Sequence, residues 1–126
     1  MGEERILELM AAGMNCAQAV AQIVGLDPRG EENPELIKAM GSMAYGMYCQ
    51  FTCGALAGGM AGLAFYAVDS ADLANLCRQL GEWFSDRFGG DRCSDLLGEG
   101  VTSGPMCQMA IQEVIEKCFE LIGDRI

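Results

Sequence analysis

Apolar residues recur along the chain at intervals of three and four, the spacing that gathers side chains on one side of an α-helix. Ile6, Leu7, Leu9 and Met10 mark a first helix over residues 3–12, interrupted by Gly13. Asn15 can cap a second helix, which carries Cys16, Val20, Ile23 and Val24. From Gly25 to Glu35 the chain concentrates Gly, Pro, Asn and charge, which predicts a loop, and Pro34 suits the first turn of a helix over 34–44.

From Phe51 to Val68 almost every position is apolar, and Gly54, Gly58 and Gly62 stand four apart, along one side of a helix. A helix side without side chains lets another backbone approach closely. The run is shorter than the roughly 20 residues that span a bilayer, so it predicts a buried central helix and no membrane span. Asp69 or Ser70 can cap the next helix, whose stripe is Leu73, Leu76, Cys77, Leu80, Trp83 and Phe84, with Gly89 and Gly90 as its stop. A short helix around CSDLLG, a glycine-rich loop from Gly98 to Gly104 and a last long helix opened by Pro105 complete the chain. That last helix sets Cys107, Ile111, Val114, Ile115, Cys118, Leu121 and Ile122 on one face. No segment alternates with period two. The expected fold class is all-α: a single domain over 1–126, with six or seven helices around the glycine-rich one.

Composition narrows the function. A chain of 126 residues with 51% hydrophobic content can bury one core. Its net charge of −10 repels phosphate backbones and anionic lipid, so nucleic acid is not an expected partner. Glu3 and Glu4 stand where a signal peptide would be positive, which favours a cytoplasmic, reducing setting. Seven cysteines cannot all pair within the chain, and the absence of any histidine or C-x-x-C removes the usual ligands of zinc fingers and of attached haem.

Free cysteine packs as a small hydrophobe, and Cys77 and Cys118, inside apolar stripes, fit that role. Cys16, Cys53, Cys93 and Cys107 each fall at or near the start of an expected helix, where unpaired N–H groups and the helix dipole favour a thiolate. Four such thiols can converge at one end of a bundle. Cys49 can share a helix face with Cys53 at i, i+4, as a transient disulfide pair, as joint metal ligands, or as packing against Tyr45 and Tyr48.

Cys53-Gly54-Ala55-Leu56-Ala57-Gly58 is a full C-G-A-x-x-G match, preceded by Asn15-Cys16-Ala17 and followed by Asp91-Arg92-Cys93-Ser94-Asp95-Leu96-Leu97 and then Cys107. Together these resemble the redox-active protein family named for its pattern of Cys, CGAxxG, Cys and Cys, which includes a domain of the split-Soret cytochromes. The resemblance covers roughly 13–121. It implies an all-helical domain whose characteristic cysteines match Cys16, Cys53, Cys93 and Cys107, with a redox or iron–sulfur role. The haem of the split-Soret relatives does not carry over, since the chain has no C-x-x-C-H and no histidine to ligate haem iron.

The leading expectation is an electron-transfer protein or oxidoreductase in which Cys16, Cys53, Cys93 and Cys107 bind an iron–sulfur cluster, since four thiolates are the usual ligation of such clusters. A metal-free thiol–disulfide protein using Cys49 and Cys53 as its catalytic pair is the alternative. A structural zinc site held by four cysteines and a plain helical interaction protein rank below both. The acidic surface suits fast, weak docking of a redox partner protein. A homodimer is expected partly from the split-Soret relatives, while the glycine ridge is assigned to packing within the chain.

Overall fold

The computed structural model describes residues 2–101 and 104–125. Its first helix, α1 (Gly2–Ala11), is followed by α2 (Cys16–Ala21), whose start is set by a capping box. The Asn15 side chain accepts from the Gln18 N–H at 3.1 Å, and the Gln18 side chain accepts from the Asn15 N–H at 2.9 Å. The helix does not stop at Gly25. It runs on through a π turn (Gln22–Leu26) and a 3-10 turn (Asp27–Arg29), and the loop opens only at Gly30, with φ +63°. Gly25 is a packing residue: a Cβ there would stand 2.9 Å from the Phe65 ring and 3.2 Å from the Gly62 Cα.

Next, α3 (Pro34–Met40) begins with Pro34 in its first turn and Asn33 capping the Leu36 N–H at 3.1 Å. It ends short of the expected residue 44, in a 3-10 turn over Gly41–Met43. The apolar stretch from Phe51 to Val68 forms a shorter helix than its composition suggested, α4 (Gly54–Leu63). Beyond it the chain closes in turns, and the Tyr66 hydroxyl donates to the Val24 carbonyl at 2.9 Å, a bond that satisfies a buried polar tip.

Asp69 caps α5 (Ser70–Phe88) by accepting from the Asp72 N–H at 2.8 Å, and the helix ends at Gly89 with φ +78°. Then come α6 (Cys93–Leu97) and α7 (Pro105–Ile122). The glycine-rich loop expected between them includes residues 102 and 103, which lie outside the described residues.

At the centre, α4 lies between α2 on one side and α5 and α7 on the other. The glycine ridge faces α2. A Cβ on Gly58 would stand 2.5 Å from the Ala17 carbonyl oxygen, and one on Gly62 would stand 2.6 Å from the Val24 side chain. The ridge is therefore filled from within the chain. On the opposite side, Leu80, Phe84, Ile111, Val114, Cys118 and Ile122 are fully buried. Each large apolar side chain removed from water in this way contributes about 1.5–3 kcal/mol.

The structure is 79% helical, and among the described residues it holds no β-strand, only one isolated antiparallel bridge between Thr52 and Arg92. Among the same residues no helix is long and apolar enough to cross a membrane.

Candidate functional site

Four cysteines stand at the beginnings of four helical segments. Cys16 is the first residue of α2, Cys53 is the N-cap of α4, Cys93 is the first residue of α6, and Cys107 is the third residue of α7. The signals that start these helices are local: the Asn15 capping box, the Pro105 turn, and the change from extended backbone at Cys53 into the glycine-rich helix.

Tertiary structure brings the four thiols together. Charge on Cys107 is felt at Cys16, charge on Cys16 or Cys93 at Cys53, and charge on Cys107 or Cys16 at Cys93, so each thiol is electrostatically coupled to others of the set. The bridge at Thr52 and Arg92 ties two of them directly, with the Cys53 N–H donating to Asp91 O at 2.9 Å and the Cys93 N–H donating to Phe51 O at 2.6 Å. Gly54 makes room for a third, since a Cβ at that position would lie 2.6 Å from the Cys16 sulfur.

Burial dominates the electrostatics. It pushes the Cys16 thiol up, although N–H groups of Tyr45, Ala17 and Cys16 itself pull it back. Cys53 is pushed up to about 12 by burial against the pull of the Leu56 and Ala55 N–H groups, with Cys16 and Cys93 adding to the rise. Cys93 is raised by burial and then by Cys107 and Cys16. Nearby backbone N–H groups oppose the rise at Cys16 and Cys53, yet in the free protein the low-dielectric surroundings keep these thiols protonated at neutral pH.

Cys49 stands apart. It is exposed, and the chain before Cys53 is not helical in the right-handed sense. Tyr45, Gly46, Met47 and Tyr48 have φ of +52°, +58°, +57° and +59°, a single turn of left-handed helix, and Gln50 follows with φ +56°. The expected i, i+4 face shared by Cys49 and Cys53 does not form, because α4 begins only at Gly54. A left-handed conformation costs roughly 1–2 kcal/mol at each non-glycine residue, so strain is concentrated beside the thiols. Gly46 is required on two counts, its positive φ and the Phe51 backbone that a Cβ would overlap.

Neither this turn nor the contacts that anchor it were legible in the sequence. Gln50 reaches across to residues 98–101, and the Arg92 guanidinium lies 5.5 Å from the Phe51 ring centroid. Tyr48, Phe51 and Val101, all exposed, border the same region.

Cys77 and Cys118 lie elsewhere. Cys118 is fully buried between α4 and α7, its thiol donating weakly to Gly59 O at 3.8 Å, and burial pushes it up to about 12 with Cys77 adding to the rise.

Four thiols on converging helix starts are a donor set suited to soft metals and to iron–sulfur clusters. The N–H groups around Cys16 and Cys53 fit sulfurs that carry negative charge. Among the described residues no group of three or more Cys, Asp or Glu side chains is placed to hold a metal ion in this structure.

The fold is all-helical, and of the four helix-start cysteines Cys53 and Cys93 are buried while Cys16 and Cys107 are half-buried. Residues 14–125 match the family model described as "Putative redox-active protein (C_GCAxxG_C_C)", and the chain belongs to that family. No curated protein and no solved structure gives a significant match.

Proposed function

We propose that Cys16, Cys53, Cys93 and Cys107 form one redox centre and that its cofactor is an iron–sulfur cluster serving electron transfer. The observation that supports this reading is the electrostatic coupling among thiols from four separate helix starts, two of which, Cys53 and Cys93, are buried and tied by a backbone bridge. When bound, such a cluster supplies reversible one-electron chemistry.

The chain's own residues supply the rest. The helix starts and the N–H groups of Tyr45, Ala55 and Leu56 stabilise negative charge on sulfur, while burial excludes water from the centre. Exposed Tyr48, Phe51 and Val101 offer an apolar contact beside the site for a redox partner protein.

Burial also bears on the metal-free alternative. A nucleophilic cysteine works as a thiolate, and the raised Cys16, Cys53 and Cys93 thiols are poorly suited to that task without a compensating cation. A zinc ion would draw on the same donors but would give a structural site.

The test is anaerobic purification and reconstitution, followed by iron and sulfide analysis and a visible absorption spectrum. Iron and sulfide bound together, with absorption bleached by a reductant, are the expected result. A folded protein that takes up neither, or that holds zinc alone, contradicts the proposal.

A further inference from the structure

Gln50 occupies a position where its backbone argues against it. With φ +56° it lies in the left-handed region, which glycine enters freely and other residues enter at a cost. Its side chain, in contrast, is fully used. The amide nitrogen donates to the Gly98 carbonyl at 2.8 Å and, at 3.5 Å, to that of Val101, while the amide oxygen accepts from the Gly100 N–H at 2.8 Å. One side chain thus meets both a donor and an acceptor of a backbone 48 to 50 residues away.

The two ends of this link belong to the thiol site. Gly98 is the C-cap of α6, the helix that starts at Cys93, and the chain beyond Val101 leads into α7, which carries Cys107. On its own side, Gln50 directly precedes Phe51, whose carbonyl accepts from the Cys93 N–H, and Cys53 follows three residues later. The left-handed turn over 45–48 lies just before Gln50, which shares its positive φ.

We infer that Gln50 is a positioning residue: its amide fixes the α6–α7 connection against the segment leading to Cys53, and so sets Cys93 and Cys107 in register with the other two thiols. The inference deepens the proposed function and rests on it for its purpose, but not for its test. Gln50 touches no reacting atom. It acts through the backbone that carries the cysteines, which explains why a glutamine stands where the backbone alone would favour glycine.

The test uses reduced, metal-free, full-length protein pulsed with a thiol alkylating reagent, with each cysteine read by mass spectrometry. Gln50→Gly deletes the amide while relieving the backbone, so folding is not put at risk. Gln50→Met keeps the bulk of the side chain and removes only its hydrogen bonds. In both variants Cys93 and Cys107 are expected to react about tenfold faster than in the wild type, the change that follows when hydrogen bonds holding a segment closed are lost. Cys118 is expected to keep its wild-type rate.

Unchanged rates at Cys93 and Cys107, acceleration of Cys118 in step with them, or wild-type behaviour of Gln50→Met beside a fast Gln50→Gly would each overturn the inference. The first would mean no coupling, the second general loosening, the third simple shielding by bulk. No metal enters this experiment, so a wild-type protein that never binds iron would refute the proposed function and leave this result intact.

Discussion

Cys53 illustrates how one residue is shaped by its neighbours on both sides. Gly54 leaves space for the Cys16 sulfur, and the Ala55 and Leu56 N–H groups oppose the rise that burial imposes on the Cys53 thiol, so the C-G-A-x-x-G motif has a physical meaning at its first positions. Its last glycine has one too. Gly58→Ala would push a methyl group against the Ala17 carbonyl, a backbone atom that cannot rotate away. We expect a loss of about 1–3 kcal/mol, as for other overpacked cores, measured by urea unfolding of the reduced protein. These positions were legible because caps, Pro105 and the glycine spacing are local signals. Gln50 was not, since nothing within a few residues of it announces a partner near residue 100.

Among the elements, the left-handed turn over 45–48 departs furthest from the sequence reading. Spacing alone allows Cys49 and Cys53 to share a helix face, yet spacing assumes right-handed backbone, and tertiary bonds to Asp91, Arg92 and Gly98 override it. The same blindness shortened α2 on paper, where Gly25 reads as a breaker but serves as a contact surface for Phe65. Tyr48 is 65% exposed and left-handed, so its side chain gives the turn little packing in return for the strain. Tyr48→Gly should therefore stabilise the protein by about 0.5–1 kcal/mol, read as a higher unfolding midpoint. A lower midpoint would mean that the ring supports the turn.

At the scale of the whole molecule, the all-α class and the glycine-centred packing follow from periodicity, whereas the meeting of four thiols depends on how α2, α4, α6 and α7 are stacked. Burial of Cys53 and Cys118 couples stability to pH. Cys53 and Cys118 titrate at about 12 in the folded chain, above the ordinary thiol value of about 8.5 in the unfolded one. Their contribution is thus complete below the unfolded value and lost as pH rises towards about 12. Unfolding of the reduced, metal-free protein followed across that window should show falling stability, and a flat profile would contradict the burial of these groups. Loading the site reverses the logic, because metal binding needs thiolates and must expel protons. Calorimetric titration in buffers of different ionisation enthalpy should record that release at neutral pH.

On the proposed reading, Cys16, Cys53, Cys93 and Cys107 act as one site and Cys49, Cys77 and Cys118 do not belong to it. Bound iron and sulfide, measured after anaerobic reconstitution of single Cys→Ser variants at all seven positions, test it directly. Loss of most of the iron is expected in each of the four site variants, and wild-type content in the other three. Iron retained in any one of the four, or lost with Cys49→Ser while the protein stays folded, would contradict it.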